Sequence, residues 1–392
     1  MRKYLPEVLG HARTVTALVV AMLPFGAAAE FKADVPGATE TLPAVYPDHW
    51  VMASDLSSLS TMLEGRVIVV DPLAPDTGGQ FKGMMTASFI AAFQTSAARG
   101  EHYVIESFHS RGGRGGTRQD FVSVYDPSTL TVKDEIEIPS GRITGMPKTL
   151  STAMIGDDRF IGVYNFTPSQ TVSIVDLEAK TFVGEVPIAG CSFLLPSGDY
   201  SFSSICSDGS FLTTTLDDSG AATSTQRSPV VFDANDDPVF EGPGITDDAA
   251  YFLTFSGQIL PVDTSGEIPD FGEKYWLSDE SERNWLPGGA NPIATDADGM
   301  GYVLMNPEGG EGTHKDGGAQ VWVVDLAKGN VQSKIDLQTW GVSLGTSGKG
   351  DSRLLYVTNA ELGIDVYRIP QGEFVHTLNI GAGLVVLYTG AQ

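Results

Sequence analysis

Short β-branched, mainly apolar runs end in aspartate, turn, and resume, and this phrase recurs along the chain. Its clearest copies are Val122-Ser123-Val124-Tyr125-Asp126-Pro127, Val172-Ser173-Ile174-Val175-Asp176-Leu177 and Val321-Trp322-Val323-Val324-Asp325-Leu326. Each is followed by polar turn residues and a second strand-like run, at Val132 to Ile138, Thr181 to Ile188 and Val331 to Leu337. A β-branched run followed by a polar turn and a second such run predicts a hairpin. Weaker copies at Val67 to Asp71, Phe211 to Asp217, Ile259 to Asp263 and Ile364 to Tyr367 bring the count to seven, and the marker positions 71, 126, 176, 217, 263, 325 and 367 lie 41 to 62 residues apart. A period in that range with several strands per unit predicts an all-β chain folded as a seven-bladed β-propeller. Blades pack mainly on their neighbours, so residues 51–392 can form one domain despite their length. One short helical patch is expected near Leu56 to Leu63.

The ends follow a different pattern. Arg2, Lys3 and Arg13 precede a short apolar run, Thr14 to Phe25, and the small residues Ala27 to Ala29 follow it. The run is shorter than the roughly 20 residues a membrane span needs, so residues 1–29 are expected to be a cleaved secretory signal and the mature chain an exported one without a membrane span. Residues 30–50, rich in Pro, Ala and acidic side chains, predict an extended arm.

Export to an oxidising compartment bears on Cys191 and Cys206, the two cysteines of the chain. They flank a predicted hairpin, and without a CxxC spacing the expectation is a structural disulfide that closes it.

The formal net charge is −25, and loss of Arg2, Lys3, Arg13 and Glu7 with the leader makes it −27. Such a surface repels phosphate backbones, which argues against nucleic-acid binding; it serves solubility or steers a cation, such as an amine, or a basic partner.

No catalytic constellation emerges. His49, His102, His109, His314 and His376 form no metal-binding spacing, and there is no nucleophile elbow and no phosphate loop. Arg111-Gly112-Gly113-Arg114-Gly115-Gly116 lies between strand patterns with no helix after it, and reads as a hairpin loop. With Arg118 and His109 it concentrates positive charge, suited to docking an acidic partner or simply exposed. Asp126, Asp176 and Asp325 open turns, where a carboxylate accepts backbone N–H groups two residues on.

Four blocks carry a resemblance: Arg111 to Pro127; Gly190-Cys191 through Cys206-Ser207-Asp208-Gly209; Asn284-Trp285-Leu286-Pro287-Gly288-Gly289; and Asn306-Pro307-Glu308-Gly309 through His314-Lys315 to Asp325. Across about residues 65 to 385 the chain resembles the heavy subunit of the tryptophan tryptophylquinone amine dehydrogenases, more closely the aromatic amine branch than the methylamine branch.

The resemblance implies a seven-bladed propeller in a periplasmic complex of two heavy and two light chains. There the small, cysteine-rich light chain carries the quinone and the catalytic base. Primary amines become aldehyde and ammonia, and electrons pass to a blue-copper cupredoxin such as azurin or amicyanin. No catalytic residue, metal or cofactor is then expected in this chain. Phe89, in Ser88-Phe89-Ile90-Ala91, is the substrate-channel candidate, with a core phenylalanine as the alternative. Arg111, Arg114, Arg118, Trp285 and His314 are partner-interface candidates. For Trp285 a rigid aromatic anchor competes with a Pro-Gly type II turn in which the glycine takes positive φ. The competing function is a stand-alone exported propeller that binds a ligand or protein without a light chain.

Overall fold

A computed structural model describes residues 41–55, 64–145, 148–380 and 385–390. The expected leader, most of the arm and the helical patch near Leu56 to Leu63 lie outside these residues.

The predicted hairpins form where the pattern placed them. Arg118–Tyr125 pairs with Val132–Ile138, Thr171–Asp176 with Thr181–Pro187, and Gly318–Asp325 with the first part of Asn330–Ser347. Within the sheets the strands are antiparallel and, apart from the sheet that joins the two chain ends, follow chain order, which is the meander expected of a blade. One sheet holds Ala92–Ser96, Glu101–His109, Arg118–Tyr125 and Val132–Ile138. The next holds Thr152–Ile155, Phe160–Asn165, Thr171–Asp176 and Thr181–Pro187, and a third Cys191–Ser197, Ser201–Cys206, Phe211–Leu216 and Ala222–Arg227. A five-stranded sheet runs from Gly244–Ile245 to Tyr275–Trp276. In the remaining small sheet, Val385–Gly390 from the C-terminal end pairs with Val51–Asp55 from the N-terminal end.

The expected seven blades are corrected: the structure is a β-propeller with five discrete blades. The two repeats marked by Asp325 and Tyr367 do not separate but share one eight-stranded sheet. The cause is the 18-residue strand Asn330–Ser347. Its first half pairs with Gly318–Asp325 and its second half with Leu354–Asn359. Gln338-Thr339-Trp340-Gly341-Val342 contains no proline, so nothing removes a backbone donor and the ladder continues where a loop was expected.

The inward faces make the core. Trp322, Tyr103, Tyr164, Tyr302, Phe160 and Phe202 are among its largest fully buried side chains. Tyr46 and Trp50, in the described part of the arm, are buried as well; the Tyr46 hydroxyl donates to the Pro127 carbonyl at 2.5 Å and so pins the arm to a blade.

Candidate functional site

Antiparallel strands send alternate turns to opposite ends of the sheets, and the two ends carry different chemistry. At one end sit the aspartate turns. Asp126 accepts the N–H groups of Ser128 and Thr129 at 2.9 and 3.0 Å, Asp176 those of Glu178 and Ala179 at 2.9 and 2.8 Å, and Asp325 that of Lys328 at 3.1 Å. Asp217 and Asp263 do the same with Ser219 and Ser265. The Thr129 N–H bond, with that of Ser128, holds the Asp126 carboxyl below its ordinary range.

The other end carries the candidate residues. Phe89 lies in the turn between Phe81–Ser88 and Ala92–Ser96, half-buried beside Ile90, which is held at φ 51. A β-branched residue in the left-handed region is strained, so this turn is maintained by its surroundings. The restraint is Arg142, whose Nη1 donates to the carbonyls of Ile90 and Ile143 at 2.8 and 3.0 Å and whose Nη2 donates to Ser88 Oγ at 3.1 Å. Arg142 is 3 % exposed, and burial pushes its guanidinium down to about 10, still charged at neutral pH. Glu106, also buried, accepts the Ser88 N–H at 3.0 Å and the Ser123 hydroxyl at 2.6 Å. Desolvation raises its carboxyl above the usual range, against those hydrogen bonds and the nearby Arg142.

Arg118 joins the same network. Its Nε and Nη2 bind the buried Asp120 carboxylate at 2.8 Å each, and Nη2 also donates to the Arg142 carbonyl at 2.8 Å. Asp120 in turn accepts the N–H groups of Gly141 and Arg142 at 2.9 and 3.1 Å. Arg118 therefore ties the 139–151 loop to the blade. Arg111 stands apart, exposed on the hairpin tip, where the Gly112–Arg114 turn is closed by its N–H to the Gly115 carbonyl at 3.0 Å. The side chain of Arg114 is outside the described residues.

Trp285 is half-buried and packs on Trp322, ring centroids 5.9 Å apart. Leu286–Pro287 does not form the expected type II turn: it pairs as a short strand with Met305 and Asn306, and Gly288 continues that line by donating to Leu304. Positive φ falls one residue later, at Gly289, with φ 127. Gly289 donates to the His314 carbonyl at 2.9 Å, so the third and fourth of the sequence blocks are neighbours in space. The His314 ring stacks on Phe255 at 4.1 Å and 19°. Partial burial, then Lys315, lowers its pKa.

Cys191 and Cys206 are directly opposed in register and form the disulfide. Near them Arg227 binds Asp208 at 3.1 Å. Along the axis, residues of the innermost strands, among them Phe93, Met154, Pro196 and Tyr388, line a cavity of about 310 Å³. Above it Lys148 pairs with Glu241 at 2.9 Å.

Sequence reading missed Glu106, Asp120, Arg142, Lys148 and Glu241. Arg118 and Asp120 share one strand face at a spacing of two, which was a readable signal. Arg142, Lys148 and Glu241 lie in long connections without periodicity and left none. Among the described residues no three His, Cys, Asp or Glu side chains converge as a metal site, and no helix is long and apolar enough to cross a membrane.

A family model described as the methylamine dehydrogenase heavy chain matches residues 67–381. The methylamine dehydrogenase heavy chain of Methylobacillus flagellatus is 28 % identical over 359 residues, covering 86 % of both chains. That of Methylorubrum extorquens is 25 % identical over 280 residues, covering 70 % of this chain and 68 % of its own. Among solved structures, a periplasmic gluconolactonase of Pseudomonas aeruginosa superposes with a TM-score of 0.58 at 15 % identity, covering 87 % of this chain and 98 % of its own. At that identity the likeness concerns the fold alone.

Proposed function

The chain belongs to the methylamine dehydrogenase heavy chain family, and from that premise we propose that it is the non-catalytic, scaffolding subunit of a periplasmic quinoprotein amine dehydrogenase. The observation that carries this reading is the family match across residues 67–381, which spans most of the propeller and includes every candidate residue of the loop-bearing end.

In this reading the chain holds a small cysteine-rich light chain in a complex of two heavy and two light chains. The tryptophan tryptophylquinone of that partner would take two electrons from a primary amine, water would supply the aldehyde oxygen as ammonia leaves, and a blue-copper cupredoxin would receive the electrons. This chain contributes binding and orientation. The exposed Arg111 tip, the Trp285 and His314 loops and the Phe89 turn share one end, suited to a single partner face, and Phe89 is the residue proposed to border the substrate entrance. The net charge of −25 favours the approach of cationic amines. The four sequence blocks favour an aromatic amine, whereas the relatives' names specify methylamine.

Purification from the native periplasm, with subunit analysis and visible spectroscopy, tests the proposal. The expected result is a co-purifying small chain whose quinone absorbance bleaches on adding amine; comparison of methylamine with 2-phenylethylamine assigns the amine class. A lone, colourless chain indifferent to both would overturn the reading and leave the stand-alone binding propeller.

A further inference from the structure

The axial cavity has a chemistry that the subunit role does not use. At about 310 Å³ it is of a size that small-molecule sites occupy. Its wall is mainly apolar, from Phe93, Leu150, Met154 and Ile245. Lys148 is the one described lining residue that carries charge at neutral pH. Among the described lining residues the charge is positive, in a chain of net charge −25.

Lys148 is held by Glu241 alone among the described carboxylates within ion-pair distance, at 2.9 Å. The pair joins the connection before Thr152–Ile155 to the one before Gly244–Ile245, across the mouth of the channel. Glu241 remains 44 % exposed in its side chain and Lys148 22 %. An ion pair this open to water contributes little, about 0–1 kcal/mol, so another carboxylate can replace Glu241 at small cost. A ligand carboxylate entering from the channel would exchange one charge-assisted hydrogen bond for another while its body leaves water for the apolar wall. A cationic amine would instead place like charge beside Lys148, which disfavours it.

We propose that the axial cavity binds a small apolar monocarboxylate, its carboxylate held by Lys148 with Glu241 as the resident competitor. The proposal rests on residues of this chain alone.

Calorimetric titration of the full chain with phenylacetate, 2-phenylethanol and 2-phenylethylamine tests this, because the three share a skeleton and differ in charge. Saturable binding of phenylacetate is expected, with the alcohol weaker by about fivefold, the upper end of what a partly exposed ion pair contributes, and with no displacement by the amine. Lys148→Met should lower phenylacetate affinity by about fivefold, and Glu241→Gln should raise it by freeing the lysine. Glu241 is half exposed, so its variant preserves the test should Lys148→Met fold poorly. Absence of saturable phenylacetate binding, equal affinity for the alcohol, or affinity unmoved by either substitution would overturn the proposal.

Discussion

Arg142 donates a 2.8 Å hydrogen bond from Nη1 to the carbonyl of Ile90, a β-branched residue at φ 51. A buried cation thus holds a strained turn, and the half-buried Phe89 sits immediately before it. Arg142→Met would strip the hydrogen bonds from Ile90, Ile143 and Ser88 and leave the Glu106 and Asp120 carboxylates with one fewer compensating charge. A loss of about 3–5 kcal/mol is expected in denaturant unfolding; a loss under about 1 kcal/mol would show that the network adds little.

Arg118 and Arg111 of the basic hairpin should behave oppositely. Arg118→Ala breaks a bidentate pair to the fully buried Asp120 and should cost about 3 kcal/mol of stability. Arg111 is exposed, and Arg111→Ala should stay within about 0.5 kcal/mol of the parent in the same unfolding experiment. A co-purification assay then isolates partner contact: weaker retention of the small chain by the Arg111 variant marks the hairpin tip as interface, and unchanged retention removes Arg111 from it.

His102 predicts a pH dependence. Burial pushes its imidazole from the ordinary 6.5 down to about 4, against the attraction of Asp126. The unfolded chain takes up the proton first, so the stabilising contribution is complete above pH 6.5 and is lost as pH falls toward 4. The size is about 3 kcal/mol for a shift of this order. His102→Phe should flatten that part of the stability curve; an unchanged slope between parent and variant would assign the dependence elsewhere.

The Asp176 turn has the opposite kind of titrating group. Burial opposes ionisation, but the Ala179 N–H and Arg159 outweigh it and hold the carboxyl below its usual range. Its contribution is therefore present above the ordinary carboxylate pKa and lost as pH falls through the lowered value. Asp176→Ala should cost about 1–2 kcal/mol at neutral pH, read from chemical unfolding, and the difference should shrink in acid.

The disulfide closes a separation of 15 residues. On the chain-entropy account a loop of that size contributes about 3 kcal/mol. The double variant Cys191→Ala/Cys206→Ala should lose that much in thermal or denaturant unfolding while retaining the β-sheet circular dichroism; full stability in the variant would mean that the hairpin needs no cross-link.

What could be read directly was local. The β-branched runs, the aspartates that accept N–H groups two or three residues on, and the cysteines flanking one hairpin all act within a few residues of themselves, so position along the chain was enough to place them. The number of blades was not local. The strand Asn330–Ser347 stays continuous because it finds hydrogen-bonding partners on both sides, Gly318–Asp325 for one half and Leu354–Asn359 for the other, and no residue within it announces that choice. The site followed the same division. Arg111, Trp285 and His314 stood out as unusual side chains in unusual loops, but it took the packing of the blades to bring Arg142 to Ile90, 52 residues away, and Lys148 to Glu241, 93 residues away. Electrostatic and hydrogen-bond partners are chosen by proximity in space and by the cost of leaving a buried charge unpaired, and only the folded chain sets both.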